Sequence, residues 1–123
     1  MANPNINSPT SCYANNAQVS LSTTTETQLV SNAAASGKVF LIDSIILTNV
    51  SAAAVTIYVT FWNAATNTGT STRLASAISL TAGTTLPVSI KSHGVNLKEA
   101  QSIYCTATVA NAVTCTAYWK EFS

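Results

Sequence analysis

Side chains able to do acid–base, nucleophilic or metal chemistry are few in this 123-residue chain. Glu26, Asp43, Glu99 and Glu121 sit on four different segments, whereas general acid–base work needs carboxylates brought together in one shaped site. They read as solubilising groups, with Asp43 also suited to a hydrogen bond at a strand bend. His93 is the single histidine and lies in a Ser92-His93-Gly94 turn. No G-x-S-x-G elbow supplies a nucleophile, so a hydrolase built on His93 is the weakest reading. The chain also lacks a glycine-rich phosphate loop, a metalloprotease helix and a dinucleotide fingerprint. No cofactor is expected.

The three cysteines, Cys12, Cys105 and Cys115, lack the close C-x₂₋₄-C spacing of a structural zinc site. Their odd number argues against a complete disulfide framework. Cys105 and Cys115 bracket a turn near Ala110-Asn111 and fall on one face of the last two expected strands. They read as two small buried hydrophobes or as a cross-strand disulfide. Cys12 is the thiol that could bridge to a neighbouring subunit in an oxidising environment.

Tyr58 and Trp62 share a strand face and, with Tyr118 and nearby Asn and Thr side chains, could stack on and hydrogen-bond to sugars. The plainer reading, which we favour, places both aromatics in packing or at a subunit contact, where aromatic side chains are enriched. Cys12, Tyr58 and Trp62 are therefore the candidate interaction residues.

The elements that must position these residues show a period of two. Val19 and Leu21 alternate with Ser20 and Ser22, and a short run follows over Glu26–Ser31. Ala33–Gly37 is a turn. Lys38–Val50 is too apolar for a half-exposed strand and predicts a central one, with a bend at Asp43-Ser44. Over Val55–Trp62, Val55, Ile57, Val59 and Phe61 line one face, while Thr56, Tyr58, Thr60 and Trp62 line the other. A polar hairpin loop spans Asn63–Thr72, and strands follow over Arg73–Leu80 and Leu86–Lys91. Pro87 puts the latter at a sheet edge, because proline cannot donate to a ladder. Val95–Leu97 is a short strand. Ser102–Ala110 and Ala112–Glu121 are expected to pair as neighbours, and no segment sustains a helical period. About eight short strands predict an all-β antiparallel sandwich, jelly-roll-like, with residues 17–123 as one domain. Residues 1–16 read as an extended N-terminal arm, held either by a neighbouring subunit or by its own domain.

Charge is scarce: five basic and four acidic residues, 7% of the chain, against a usual quarter. Serine, threonine and asparagine number 15, 19 and 11. The basic residues Lys38, Arg73, Lys91, Lys98 and Lys120 are scattered, so no nucleic-acid footprint forms. No apolar run is long enough to span a membrane, and Met1–Pro9 has no signal-peptide pattern, so synthesis in the cytoplasm is expected. Asn49-Val50-Ser51 matches a glycosylation pattern by chance on this view.

The order Leu41-Ile42-Asp43-Ser44-Ile45-Ile46-Leu47-Thr48-Asn49-Val50, then Val55–Thr60, then Ala82-Gly83-Thr84-Thr85-Leu86-Pro87-Val88, closes on Leu97–Thr108 and Tyr118-Trp119-Lys120-Glu121. Over residues 38–121 it resembles small β-sandwich virion structural proteins of tailed bacteriophages. The resemblance implies a non-enzymatic, multi-copy component of a phage particle: a capsid decoration (cement) protein, or a head–tail, collar or fibre part. The expected location is the virion. The expected partners are copies of the chain itself, as a trimer or ring, and other virion proteins such as the major capsid protein. A charge-poor surface agrees, since Ser, Thr and Asn can be buried against protein without the cost of desolvating charge.

Overall fold

The computed structural model describes residues 4–89 and 95–123, and the regular structure of those residues is entirely β. The strands are β1 (Cys12–Ser20), β2 (Thr27–Asn32), β3 (Val39–Asn49), β4 (Val55–Trp62), β5 (Ser71–Leu80), β6 (Thr85–Ser89), β7 (Val95–Leu97), β8 (Gln101–Ala107) and β9 (Val113–Phe122). They form two antiparallel sheets. Sheet A has the order β1-β9-β3-β6, and sheet B the order β2-β8-β4-β5. β7 pairs with Phe40–Ile42 and β6 with Ile45–Thr48, so these two short strands occupy one position beside β3 in succession. The eight strand positions wrap as a jelly-roll sandwich, as the alternation predicts.

Alternation decides which side chains fill the space between the sheets. Val55, Ile57 and Val59 of β4 are buried inward, and Ile103, Cys105 and Ala107 of β8 pack beside them. β3 is central, flanked by β9 on one side and by β6 and β7 on the other. Its register slips between Ile42 and Ser44. Phe40 and Ile42 face inward before the slip, and Ile45, Leu47 and Asn49 after it, so the bulge re-phases the strand by one residue. Asp43 is thereby released to the surface, 3.6 Å from Lys120. The expected bend at Asp43-Ser44 is this bulge. Pro87 lies opposite Ile46 on β6, at the edge of sheet A, where a missing N–H is tolerated.

Two buried asparagines clip the sheets together. Asn49, at the end of β3, directs its amide to the carbonyls of Ala53 (2.8 Å), Leu80 (2.9 Å) and Thr81 (3.2 Å). Asn32, at the end of β2, reaches in the opposite sense to the carbonyls of Lys38 (2.8 Å) and Leu97 (3.2 Å). Each ties a strand end of one sheet to the chain entering or leaving the other, which satisfies carbonyls that no ladder can reach. Asn49 is 0% exposed, so its glycosylation pattern is inaccessible in the folded chain.

Two expectations are corrected. β8 and β9 are not neighbours: β8 lies between β2 and β4 in sheet B, and β9 between β1 and β3 in sheet A. Both strands already have two partners, so the short connection between them arches from sheet to sheet. Its backbone donors find other elements, Thr108 N–H reaching Thr56 (3.0 Å) and Asn111 N–H reaching Leu21 (2.8 Å). The free arm is also shorter than residues 1–16. Cys12–Asn16 belong to β1, in continuous register with β9 from Cys12↔Phe122 to Ser20↔Thr114. Of the two ways of holding that segment, packing on its own domain is the one adopted. The expected turn at His93-Gly94 lies outside the described residues.

Candidate functional site

Sheet B carries Tyr58 and Trp62 on its outer face, as their spacing on β4 requires. Across from them are Thr106 and Ser102 of β8, with Tyr104 opposite the intervening Thr60. The two rings are not an open platform. The Arg73 guanidinium lies 4.8 Å over the Tyr58 ring centre, and its Nη1 donates to Thr60 Oγ1 at 2.8 Å. The loop after β4 folds back beside Trp62: Ser31 and Ser102 donate to the carbonyls of Ala65 and Ala64, each at 2.7 Å. Trp62 Nε1 is buried there without a hydrogen-bond partner. Arg73 was not singled out in the sequence. Its signal was available, a lone cation on the strand that must hairpin onto the tyrosine's own strand.

The two buried cysteines come together in a different way from the one expected. Cys105 and Cys115 are both 0% exposed and both free thiols. They approach from opposite sheets rather than across one ladder. The hydrogen bond with Cys115, and then burial, hold the Cys105 thiol well above the ordinary cysteine range. Such a thiol is a packing group and a poor nucleophile. Cys12 is exposed near the start of β1.

The few charges are largely engaged with the chain's own groups. Lys38 pairs with Glu121 and Lys120 with Asp43, while the Gly37 N–H donates to Glu99 at 2.6 Å. Among the described residues no group of three or more His, Cys, Asp and Glu side chains is placed to hold a metal. His93 lies outside the described residues, so the hydrolase reading gains no geometry. An open depression of about 430 Å³ along β1 and β9 is lined by Gln18, Val19, Ser20, Thr114, Cys115 and Thr116. No charged side chain reaches it.

Sheet A presents a largely uncharged outer face. Its outer face carries Thr114, Thr116 and Tyr118 of β9 beside Thr48, Ile46 and Ser44 of β3, with the neutralised Lys120–Asp43 pair at one side. Leu41 and Ile46 are half-buried on this face, and Tyr118 is exposed. β1 forms one edge of the same sheet. The chemistry on offer is hydrogen bonding and apolar contact over an uncharged surface, suited to protein contact. Comparison with protein-family models, with curated proteins and with solved structures gives no match to this chain.

Proposed function

We propose that the chain is a non-enzymatic structural component of a tailed-phage particle, acting as a capsid decoration or cement protein that stabilises the head through subunit contacts. The observation that carries this reading is the outer face of sheet A, where threonine, serine and scattered apolar side chains surround an ion pair already neutralised within the chain. Such a face is poorly built to stay solvated by charge and well built to lie against protein at little desolvation cost. The resemblance over residues 38–121 points to the same class, and a head–tail, collar or fibre position uses the same contacts.

The rival reading, a host-glycan module using Tyr58 and Trp62, is disfavoured by Arg73 over the tyrosine ring. The test is binding of purified chain to phage heads that lack it. Saturable, multi-copy binding that raises the heads' resistance to heat is expected, and no binding overturns the proposal.

A further inference from the structure

Sheet edges are where β proteins risk unplanned pairing, and three of the four edges here are interrupted. β5 slips register twice against β4 and holds Ala77 at φ 50°. β2 is six residues long, with a slip between Gln28 and Val30. β6 slips register against β3 between Ile45 and Ile46 and carries Pro87. Bulges, short strands and proline are the usual protections of an edge. β1 has none of them. It is nine residues long, CYANNAQVS, pairs with β9 without a slip, and contains no charge, proline or glycine.

The ladder also shows which backbone groups of β1 are unused. Ser11 and Ser123 exchange N–H···O bonds at 3.1 Å each, and Leu21 N–H donates to Val113 at 2.9 Å. Antiparallel bonding alternates residue by residue, so the odd-numbered residues of β1 face β9. Cys12, Ala14, Asn16, Gln18 and Ser20 point their N–H and C=O groups away from the sheet. The set is centred on Asn16, whose N–H donates within the strand to Asn15 Oδ1 at 3.1 Å, a local bond that a second strand would replace.

We propose that β1 pairs antiparallel with β1 of a second copy about a two-fold axis at Asn16, joining two A sheets into one continuous sheet. In this register Asn16 meets Asn16 of the other copy, Ala14 meets Gln18, and Cys12 meets Ser20. All five outward residues are satisfied, with about ten interchain backbone hydrogen bonds. Tyr13, 63% exposed in the single chain, falls opposite Val19, an aromatic and β-branched pair that stabilises sheets. Asn15 falls opposite Ala17. A second copy is the favoured occupant because a strand docked on its own copy places every residue type against its mirror position. The uncharged β1 brings no like charges together in that register. The two-fold pair is a different unit of self-association from the expected trimer or ring, and the solution mass distinguishes them. It deepens the structural-component reading but does not depend on any particular place in a particle.

The test is solution mass together with a distance measurement on the full chain. Sedimentation equilibrium gives a dimer. Nitroxide labels on the exposed Cys12 of each copy report a separation near 27 Å by electron spin resonance, because the two sites lie eight residues apart along the paired strands. Asn16→Pro removes an N–H that sheet A does not use, and it raises the dimer dissociation constant about tenfold or more. Asn16→Lys, which leaves the backbone unaltered, sets like charges opposite each other and weakens the dimer in a manner relieved by salt. Circular dichroism confirms that each variant is folded. A monomeric wild type, a Cys12 separation far from 27 Å, or a dimer indifferent to both substitutions overturns the proposal. None of these results bears on whether the chain binds phage heads, so the two claims fail separately.

Discussion

Cys105 of β8 and Cys115 of β9 are neighbours in the buried core although their strands belong to opposite sheets and share no ladder, and Cys115 with burial holds the Cys105 thiol well above the ordinary cysteine range. The pair marks where the arch between β8 and β9 closes the core. It also separates the three cysteines into two chemical classes.

Thiol labelling reads that separation directly. In the folded protein a water-soluble disulfide reagent is expected to modify Cys12 rapidly and to leave Cys105 and Cys115 untouched, since access and thiolate fraction govern the rate. Denaturant exposes all three. Fast reaction of a second thiol under native conditions contradicts the placement of the pair.

Alkaline stability follows from the same contact. Folding raises the Cys105 pKa, so the unfolded chain releases this proton first as pH rises. The stabilisation is fully present below the unfolded thiol value of about 8.5 and is lost as pH climbs beyond it towards the folded value. Thermal midpoints measured from pH 7 to 9.5 should be level at first and then fall. Cys105→Ala should have a lower midpoint at pH 7 and a flatter alkaline limb.

Asn49 allows a comparison of size with hydrogen bonding. Its amide serves three carbonyls from inside the core. Asn49→Ala strands them and should cost about 2–4 kcal/mol in denaturant unfolding. Asn49→Asp keeps the shape but can offer those carbonyls at most one proton, and only in its neutral form, because burial disfavours the carboxylate. It should therefore destabilise the fold increasingly as pH rises, and stability equal to wild type across neutral pH would contradict the clip.

Ala77 sits at φ 50° inside the register slip between Ala75 and Ile78 on β5. A left-handed backbone costs an L-residue roughly 1 kcal/mol that glycine avoids. Ala77→Gly should therefore hold or raise the melting temperature, whereas the same replacement in a regular strand position lowers it. A clear fall would show that the bulge is set by something other than local backbone.

Much of this arrangement was legible in the residues because period two survives wherever one face is buried. Val55–Trp62 shows its ends and its two faces in the residue pattern, and the Asp43-Ser44 break in the apolar run marks the bulge. The partner of each strand was less legible. A tight turn with Asn111 serves a hairpin or an arch equally well, and only the two flanks already occupied beside β8 and β9 decide for the arch. β1 was hidden for a related reason. On an edge strand exposed on both faces, Cys12–Asn16 have no apolar alternation to display, and Asn15-Asn16 looks like loop chemistry. At the candidate surface the aromatic pair was placed on the correct face, but the covering Arg73 and the folded-back loop are products of tertiary contact. The scarcity of charge legible in the residues is deepened in the fold, where Lys38 pairs with Glu121 and Lys120 with Asp43.

The central claim is that this chain is a building part of a particle, and copy number tests it most directly. Quantitative mass spectrometry of intact, gradient-purified particles from a culture producing the chain should find it in many copies per particle, in fixed ratio to the major shell protein. Absence of the chain from such particles, with all of it recovered in the soluble fraction, would contradict the account.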